Sequence, residues 1–451
     1  MMSTETSRLI AEYVAGASAR SFPPEVLDAA RLCLADWLGV AIGAGTEAAG
    51  RILRRTIARH TASGPATVLF GGTADAVSAA LANGTLAHCL DFDDTYIEAI
   101  THTSAPVWAA TLALGETTGA DETRMLAAFV TGFEVAACLG RGLGHAVTAR
   151  GWHGTGVFGR LAAAAASAVL LGLDAGQAAH ALALAATQTS GLTGSFGTMA
   201  KPFHAGKAGS DGVLSAELAR NGMIGAPSLL DPGGGLDNAV VQDRSLEIAA
   251  PDFSVWRILN NSFKPYAACH LTHPSIDAAR KAREAGVDPA SIRHIRADVA
   301  ALAEQVTGRT NAHPDTSLKA KFDLRYCIAL ALSGAEASAA DFREPWAREP
   351  AVTALAEKVT VAADPATGYA SAALEIRTDA ATPLTVIVPT SKGHPGNPMS
   401  WPDMERKFTA LVTPCLGSQA AALFELERDF GRGAGALDEI RAILWELPKW
   451  T

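Results

Sequence analysis

The sequence predicts a mainly α-helical protein in two parts, a large all-helical domain and a smaller α+β domain. Three observations carry that prediction. Hydrophobic residues make up 49% of the chain but aromatics only 6%, so small aliphatic side chains, Ala above all, dominate the packing surfaces and favour closely packed helices. Apolar residues recur at helical spacing up to about Tyr266, and from about Ala267 to Lys392 the period falls to two. Finally, 451 residues exceed what one hydrophobic core usually organises, so two domains are expected.

Taken in order, Met1 to Gly16 reads as an amphipathic helix carrying Glu5, Arg8 and Glu12, without the apolar stretch of a signal peptide. Pro23-Pro24 precedes a helix with Val26, Ala30, Cys33 and Trp37 at helical spacing, and Ser78 to Leu90 forms a largely apolar helix. The longest nearly apolar run, Leu161 to Leu173, falls short of the roughly 18 to 20 residues a bilayer span needs, so a membrane role gains no support. Asp174 suits the N-cap of a helix from Ala175 to Ala186. The stretch Gly191 to Gly209, rich in Gly, Ser and Thr, reads as a long loop, where function concentrates. Gly140-Arg141-Gly142-Leu143-Gly144 and Pro232-Gly233-Gly234-Gly235 are turns, since neither follows a clear strand or ends in the Gly-Lys-Ser/Thr of a phosphate loop.

Beyond Ala267, Ile295, Ala297 and Val299 alternate, as do Val359 and Val361, Leu374 and Ile376, and Leu384, Val386 and Val388. These are strands. Helical stretches over Pro274 to Ala285, Phe322 to Leu332 and Val352 to Lys358 lie between them, which suggests an α+β domain. Gly393 to Pro398 breaks the chain, and a helical tail from Trp401 to Trp450 is expected to return to the first domain. The expected domains are therefore residues 1–266 with 393–451, and 267–392.

A net charge of −9 argues against nucleic acid, whose binding rests on clustered Lys and Arg. Six scattered cysteines without a CxxC pair fit reduced thiols in a cytoplasmic protein.

Four stretches could carry chemistry. Leu90 to Thr95 packs Asp91, Asp93 and Asp94 into four residues, with His102 close behind. Mutual repulsion requires such carboxylates to have a cation, a hydrogen-bond network or solvent; a solvated helix end is the plain alternative. His153 stands in a glycine-rich approach to an Ala-rich helix, and a helix N-terminus favours an anion. A structural, hydrogen-bonding histidine is the alternative there. Lys201, beside Pro202 in the glycine-bearing stretch, could hold a carboxylate as a compact point charge. Phe263 to His270, with Lys264 and Cys269, falls at the expected domain junction, either a ligand site or an ordinary linker. Cys269, His270 and His273 lack the second ligand pair of a structural zinc site, so no metal is expected.

Together these stretches resemble the MmgE/PrpD family over nearly the whole chain. The resemblance rests on Ala82-Asn83-Gly84 running into Leu90 to Thr95, then His102, Trp152 to Gly159, Lys201 to Gly206, Phe263 to Thr272, Lys321 to Tyr326 and Asn397 to Ser400. It implies a helical domain built by both chain ends, an α+β lid domain between them, a homodimer, and no cofactor. The implied chemistry is proton abstraction next to a carboxylate of a small di- or tricarboxylic acid, by a dehydratase of the 2-methylcitrate type or, alternatively, an epimerase of a substituted succinate. Carried over by motif, Asp91, His102, His153, Lys201 and Lys264 would be catalytic, and Thr95, Cys269 and Tyr326 would bind substrate. Two departures bear on the reaction: Cys269 stands where decarboxylase-like members carry His, and His102-Thr103-Ser104 replaces the more usual His-Pro-Ser.

Two other classes make different demands. Magnesium-dependent prenyl-diphosphate chemistry needs a second acidic motif, which the sequence lacks. A non-catalytic binding protein has no need for Asp91, His102, His153, Lys201 and Lys264 together.

Overall fold

The computed structural model describes residues 5–60, 63–233, 235–243, 245–310, 312–342, 350–380, 382–433 and 435–449. Of the segments read above, residues 1–4, Gly234 and Trp450 lie outside the described residues. The expected mainly α fold forms, with strands confined to small sheets. The chain divides into two compact units, Met1–Ser262 with Ser400–Thr451, and Phe263–Met399.

The larger unit begins with α1 (Glu5–Ala15), α2 (Pro24–Gly43), α3 (Ala48–Ile57), strands β1 (Ala66–Val68) and β2 (Gly72–Ala74), α4 (Ala76–Cys89), α5 (Ser104–Thr118) and α6 (Glu122–Gly140). It continues through α7 (Gly144–Ala149), α8 (Gly154–Leu171), α9 (Ala175–Ala186), α10 (Ala200–Arg220) and α11 (Leu236–Val241). Pro24 starts α2 at a position where its missing N–H costs nothing. Asp174 caps α9 as expected and forms a full capping box with Gln177. The β1–β2 hairpin was not legible, because strands of three residues are too short for a period of two to show.

Helix α8 is the centre of this unit. Ala162 to Ala166 are all fully buried, and their small side chains let α5, α6, α9 and α10 close around the helix. Helices α6 and α8 are long and apolar enough to cross a bilayer, but 89% and 94% of those windows are buried inside the protein, so their apolarity is that of a core.

The stretch Gly191 to Gly209 corrects the loop expected there. Only its first part is irregular, and from Ala200 it is the start of the 21-residue helix α10. Pro202 falls in the first turn, where no intrahelical N–H bond is lost. The glycines serve close packing: a Cβ on Gly206 would lie 2.2 Å from the Leu81 carbonyl oxygen, and one on Gly209 2.9 Å from that of Pro106. On Gly212 it would meet the Ala163 Cβ at 2.5 Å. Composition that reads as loop is here the composition of a helix laid directly against α4, α5 and α8.

The smaller unit contains α12 (His273–Glu284), β3 (His294–Val299), α13 (Ala301–Ala303), α14 (Ser317–Lys321), α15 (Leu324–Leu332), α16 (Pro350–Ala356), β4 (Val359–Ala363), β5 (Ala372–Arg377) and β6 (Leu384–Val388). Its sheet has the order β4-β3-β5-β6, parallel between β3 and β4 and antiparallel elsewhere. Ile295, Ala297 and Val299 on β3 face the same core as Ala372, Leu374 and Ile376 on β5, which is what the alternation predicts. Helix α12 packs against β5, β6 and α15.

After Met399, Ser400 and Asp403 form a capping box that opens α17 (Trp401–Leu416), followed by α18 (Gln419–Arg428) and α19 (Ala436–Trp445). Helix α17 packs on α2. In this way the last part of the chain is built into the larger unit.

Candidate active site

Helix α4 delivers the acidic stretch and ends at Cys89. Asp91 then adopts a left-handed conformation, φ 52°, which Asp tolerates better than most residues but which is uncommon outside glycine. The bend sends the three carboxylates to different partners. Asp91 accepts from the Lys201 ammonium at 2.6 Å, both side chains being buried. Asp93 Oδ2 lies 2.8 Å from His88 Nδ1 and 3.3 Å from His102 Nδ1. Asp94 Oδ2 accepts from Ser104 Oγ at 2.5 Å and from Asn261 Nδ2. The Asp94 backbone N–H donates to Asp36 Oδ2 at 3.0 Å. Lys407, from α17, holds Asp36 Oδ1 at 2.5 Å, donates to the Phe92 carbonyl at 2.6 Å and stands 3.9 Å from the Phe92 ring centre. The acids are therefore not a solvated helix end; separate buried partners remove the repulsion that makes such a cluster costly.

These partners sort the acids electrostatically. Burial, followed by the neighbouring Asp36 carboxylate, pushes Asp94 up to about 7. Burial also pushes Asp93 upward, but the His88 and His102 rings outweigh it and hold this carboxyl well below the usual range. Burial pushes His88 down to about 4 against the opposing pull of Asp93. His88 is thus a neutral imidazole near pH 7. Because an ionised carboxylate only accepts, His88 Nδ1 must donate to Asp93.

The imidazoles form a compact group. The His88 and His102 ring centres are 4.5 Å apart, and those of His88 and His153 5.6 Å apart. The His102 backbone N–H donates to Thr155 Oγ1 at 3.0 Å, and its ring Nδ1 is 3.4 Å from Thr95 Oγ1. With Nδ1 turned to Asp93, Nε2 is the His102 atom left for proton transfer. His153 is the N-cap of α8, fixed by its backbone N–H donating to the Gly191 carbonyl at 2.9 Å. Burial first, then the charges of His88 and Lys201, hold the His153 pKa well below its ordinary value. A ring held neutral in this way is ready to accept a proton. Phe196 stands edge-on to His153 at 4.9 Å and 5.3 Å from Lys201 Nζ. Behind them Arg160, fully buried, ties Asp211 (3.0 Å), the Gly156 carbonyl (2.5 Å) and Ser190 Oγ (2.8 Å) together, bracing α8 against α10.

Of the residues singled out in the sequence, Asp91, Thr95, His102, His153 and Lys201 fall in this one neighbourhood of the larger unit. Lys264, Cys269 and Tyr326 belong to the smaller unit and are buried there. The Cys269 backbone N–H donates to the Lys321 carbonyl at 2.9 Å, and Tyr326 opens the first turn of α15. Sequence reading passed over His88, Asp93 as an individual, and His204. His88 precedes Asp91 by three residues at the end of a helix, and His204 follows Lys201 by three. That spacing puts His204 and Lys201 on one helical face, which a loop reading hides.

His88 Nδ1, Asp93 Oδ2 and His102 Nδ1 all lie within 4.8 Å of one another, close enough to share a metal ion. The same atoms also satisfy each other as hydrogen-bonding partners, so the cluster does not need an ion to be stable.

A helical body with a buried carboxylate–imidazole–ammonium centre has the equipment of an enzyme that moves protons on an anionic substrate. The chain matches the MmgE/PrpD N-terminal domain over residues 8–249 and the MmgE/PrpD C-terminal domain over residues 266–430. It belongs to the MmgE/PrpD family. Among curated proteins it is similar to a cis-aconitate decarboxylase from Mus musculus, 26% identical over 92% of this chain and 88% of the relative. Proteins of the same name from Homo sapiens (29% identical, 75% of this chain, 73% of the relative) and Aspergillus terreus (25%, 78% and 77%) are also similar.

Proposed function

We propose that this protein removes a proton from carbon next to a carboxylate in a small di- or tricarboxylic acid and expels a β-hydroxyl, as a dehydratase of the 2-methylcitrate type. The observation that carries this reading is His153, buried and held neutral within reach of a Lys201–Asp91 pair and a second, carboxylate-oriented imidazole, His102. Charge building up on an already anionic group must be met by donors and cations aimed at it. Lys201 supplies the cation, with Lys264 as a further carboxylate clamp. His153 is the base, and His102, oriented by Asp93, is the partner acid for the leaving hydroxyl. Thr95, Cys269 and Tyr326 are proposed substrate contacts. The working form is a cytoplasmic homodimer; the exposed Leu214, Met223 and Ile224 are candidates for its interface, and light scattering on the purified protein checks the mass.

The relatives' names favour a second reading, in which the same carbanion arises by loss of CO2, although Cys269 departs from the decarboxylase-like pattern. Return of a proton to the opposite face would instead be epimerisation. One experiment separates these outcomes: citrate, 2-methylcitrate, cis-aconitate and substituted succinates are incubated in heavy water and followed by proton NMR. New alkene signals without CO2, vinylic protons from citrate or an allylic methyl from 2-methylcitrate, mark dehydration. CO2 release marks decarboxylation, and deuterium incorporation without a new skeleton marks epimerisation. Full retention of the α-hydrogen in every substrate that turns over would end the proposal.

A further inference from the structure

His153 is too deeply buried to exchange a proton with water directly, being 4% exposed. Among the described residues its Nδ1 is hydrogen-bonded to His204 Nδ1, at 3.2 Å. Two imidazole nitrogens at that distance share a single proton, so when both rings are neutral one donates and the other accepts. His204 is only half-buried, on the first turns of α10. The contact is built: Gly191 (φ 106°) runs beside both residues, and a Cβ there would sit 3.2 Å from His204 Cγ and Nδ1 and 3.5 Å from His153 Cβ. Burial first, then the nearby Arg160 and Lys201, disfavour charge on the His204 ring, so a proton arriving there tends to move on.

We infer that His204 is a proton relay, connecting the buried base His153 to solvent. This rests on the proton abstraction proposed above. With Nδ1 turned to His204, Nε2 is the His153 atom left for substrate. As Nε2 takes the hydrogen from carbon, Nδ1–H passes to His204 Nδ1, and the proton on His204 Nε2 leaves to water. The C–H electron pair becomes the new π bond, and the C–O pair departs with the β-hydroxide, which takes a proton from His102. Passage in reverse resets both tautomers: a proton from water enters at His204 Nε2, His204 returns its Nδ1 proton to His153, and the His153 Nε2 proton recharges His102. Substrate gives alkene and water, with no net proton gained or lost.

The test uses the full-length protein with 2-methylcitrate in heavy water, comparing wild type, His204→Ala and His204→Gln at a few millimolar buffer and again with added imidazole. Folding is checked by circular dichroism, and His204→Gln serves if the alanine variant melts. In dilute buffer the variants are expected to lose roughly 10- to 100-fold in turnover, with KM little changed. Small proton carriers should restore the alanine variant in proportion to their concentration, which a merely structural histidine would not allow. Variants that fold and turn over at wild-type rate in dilute buffer, or that are slow but indifferent to imidazole, overturn the relay while leaving the proton abstraction standing. A wild-type enzyme that turns over without moving its α-hydrogen would instead overturn the abstraction itself.

Discussion

The larger unit holds two buried ionic clusters fed by the same four residues of sequence, and they are built differently. Around Asp94, charges are enclosed by fixed partners: Lys407 on Asp36, Ser104 and Asn261 on Asp94, with nothing half-exposed between them. Around Asp93, four imidazoles and an ammonium converge, His88 Nε2 and Asp93 Oδ1 are buried without hydrogen-bond partners among the described residues, and one ring, His204, reaches the half-exposed zone. Asp94 Oδ1 and Asn261 Oδ1 are likewise buried without a hydrogen-bond partner among the described residues, so unpaired atoms do not tell the clusters apart. What does is that the Asp93 cluster is built from imidazoles, which can carry a proton, and has an outlet.

Substitutions should separate the two. The largest effect is expected on rate: His153→Ala and Lys201→Ala should lower turnover by roughly 10²- to 10⁴-fold, with the His153 variant retaining a wild-type circular dichroism spectrum. Lys201→Ala also removes the buried cation that Asp91 accepts from and should melt somewhat earlier. Rates near wild type in both would dissolve the distinction.

Next is stability. Lys407→Met leaves Asp36 buried without its cation, which should cost about 3–5 kcal/mol in denaturant unfolding, while the rate per folded molecule stays unchanged. A loss of rate without a loss of stability would mean that the Asp36 cluster also takes part in catalysis.

The smallest effect concerns Glu427 on α18, a fully buried carboxyl in neither cluster whose oxygens have no hydrogen-bond partner among the described residues. Burial pushes its pKa well above the ordinary value, so the folded protein holds a proton that the unfolded chain releases above about pH 4.3. Stability from this group is therefore full below that pH and lost as pH rises toward the folded pKa. Glu427→Gln should remove this loss and raise stability near pH 7 by about 1 kcal/mol, with no gain near pH 4; thermal melts at the two pH values check it.

Much of this architecture was legible in the sequence, because the physics that sets it is local. Every alternating run between Ile295 and Val388 became a strand, and Asp174 capped its helix. Besides the short β1–β2 hairpin, the exception was the stretch from Gly191: its glycines answer to the distant surfaces of α4, α5 and α8, and propensity within a window cannot see a partner helix. The same blindness hid His204, whose relation to Lys201 exists only on a helical face, and His88, whose partner Asp93 lies across a left-handed bend at Asp91. The candidate residues of the larger unit were visible as residue types. Their pairing was not, since it depends on which way each side chain leaves the turn.

The bare strip along α10 also fixes an angle. Because backbone meets neighbouring helices only where Gly206, Gly209 and Gly212 lack side chains, the helix can seat in one rotational setting, and a slip of one residue would swing Lys201 and His204 about 100° around the axis. The aim of both side chains is thus dictated from as far as about three turns away, like a key indexed by its notches rather than by its tip.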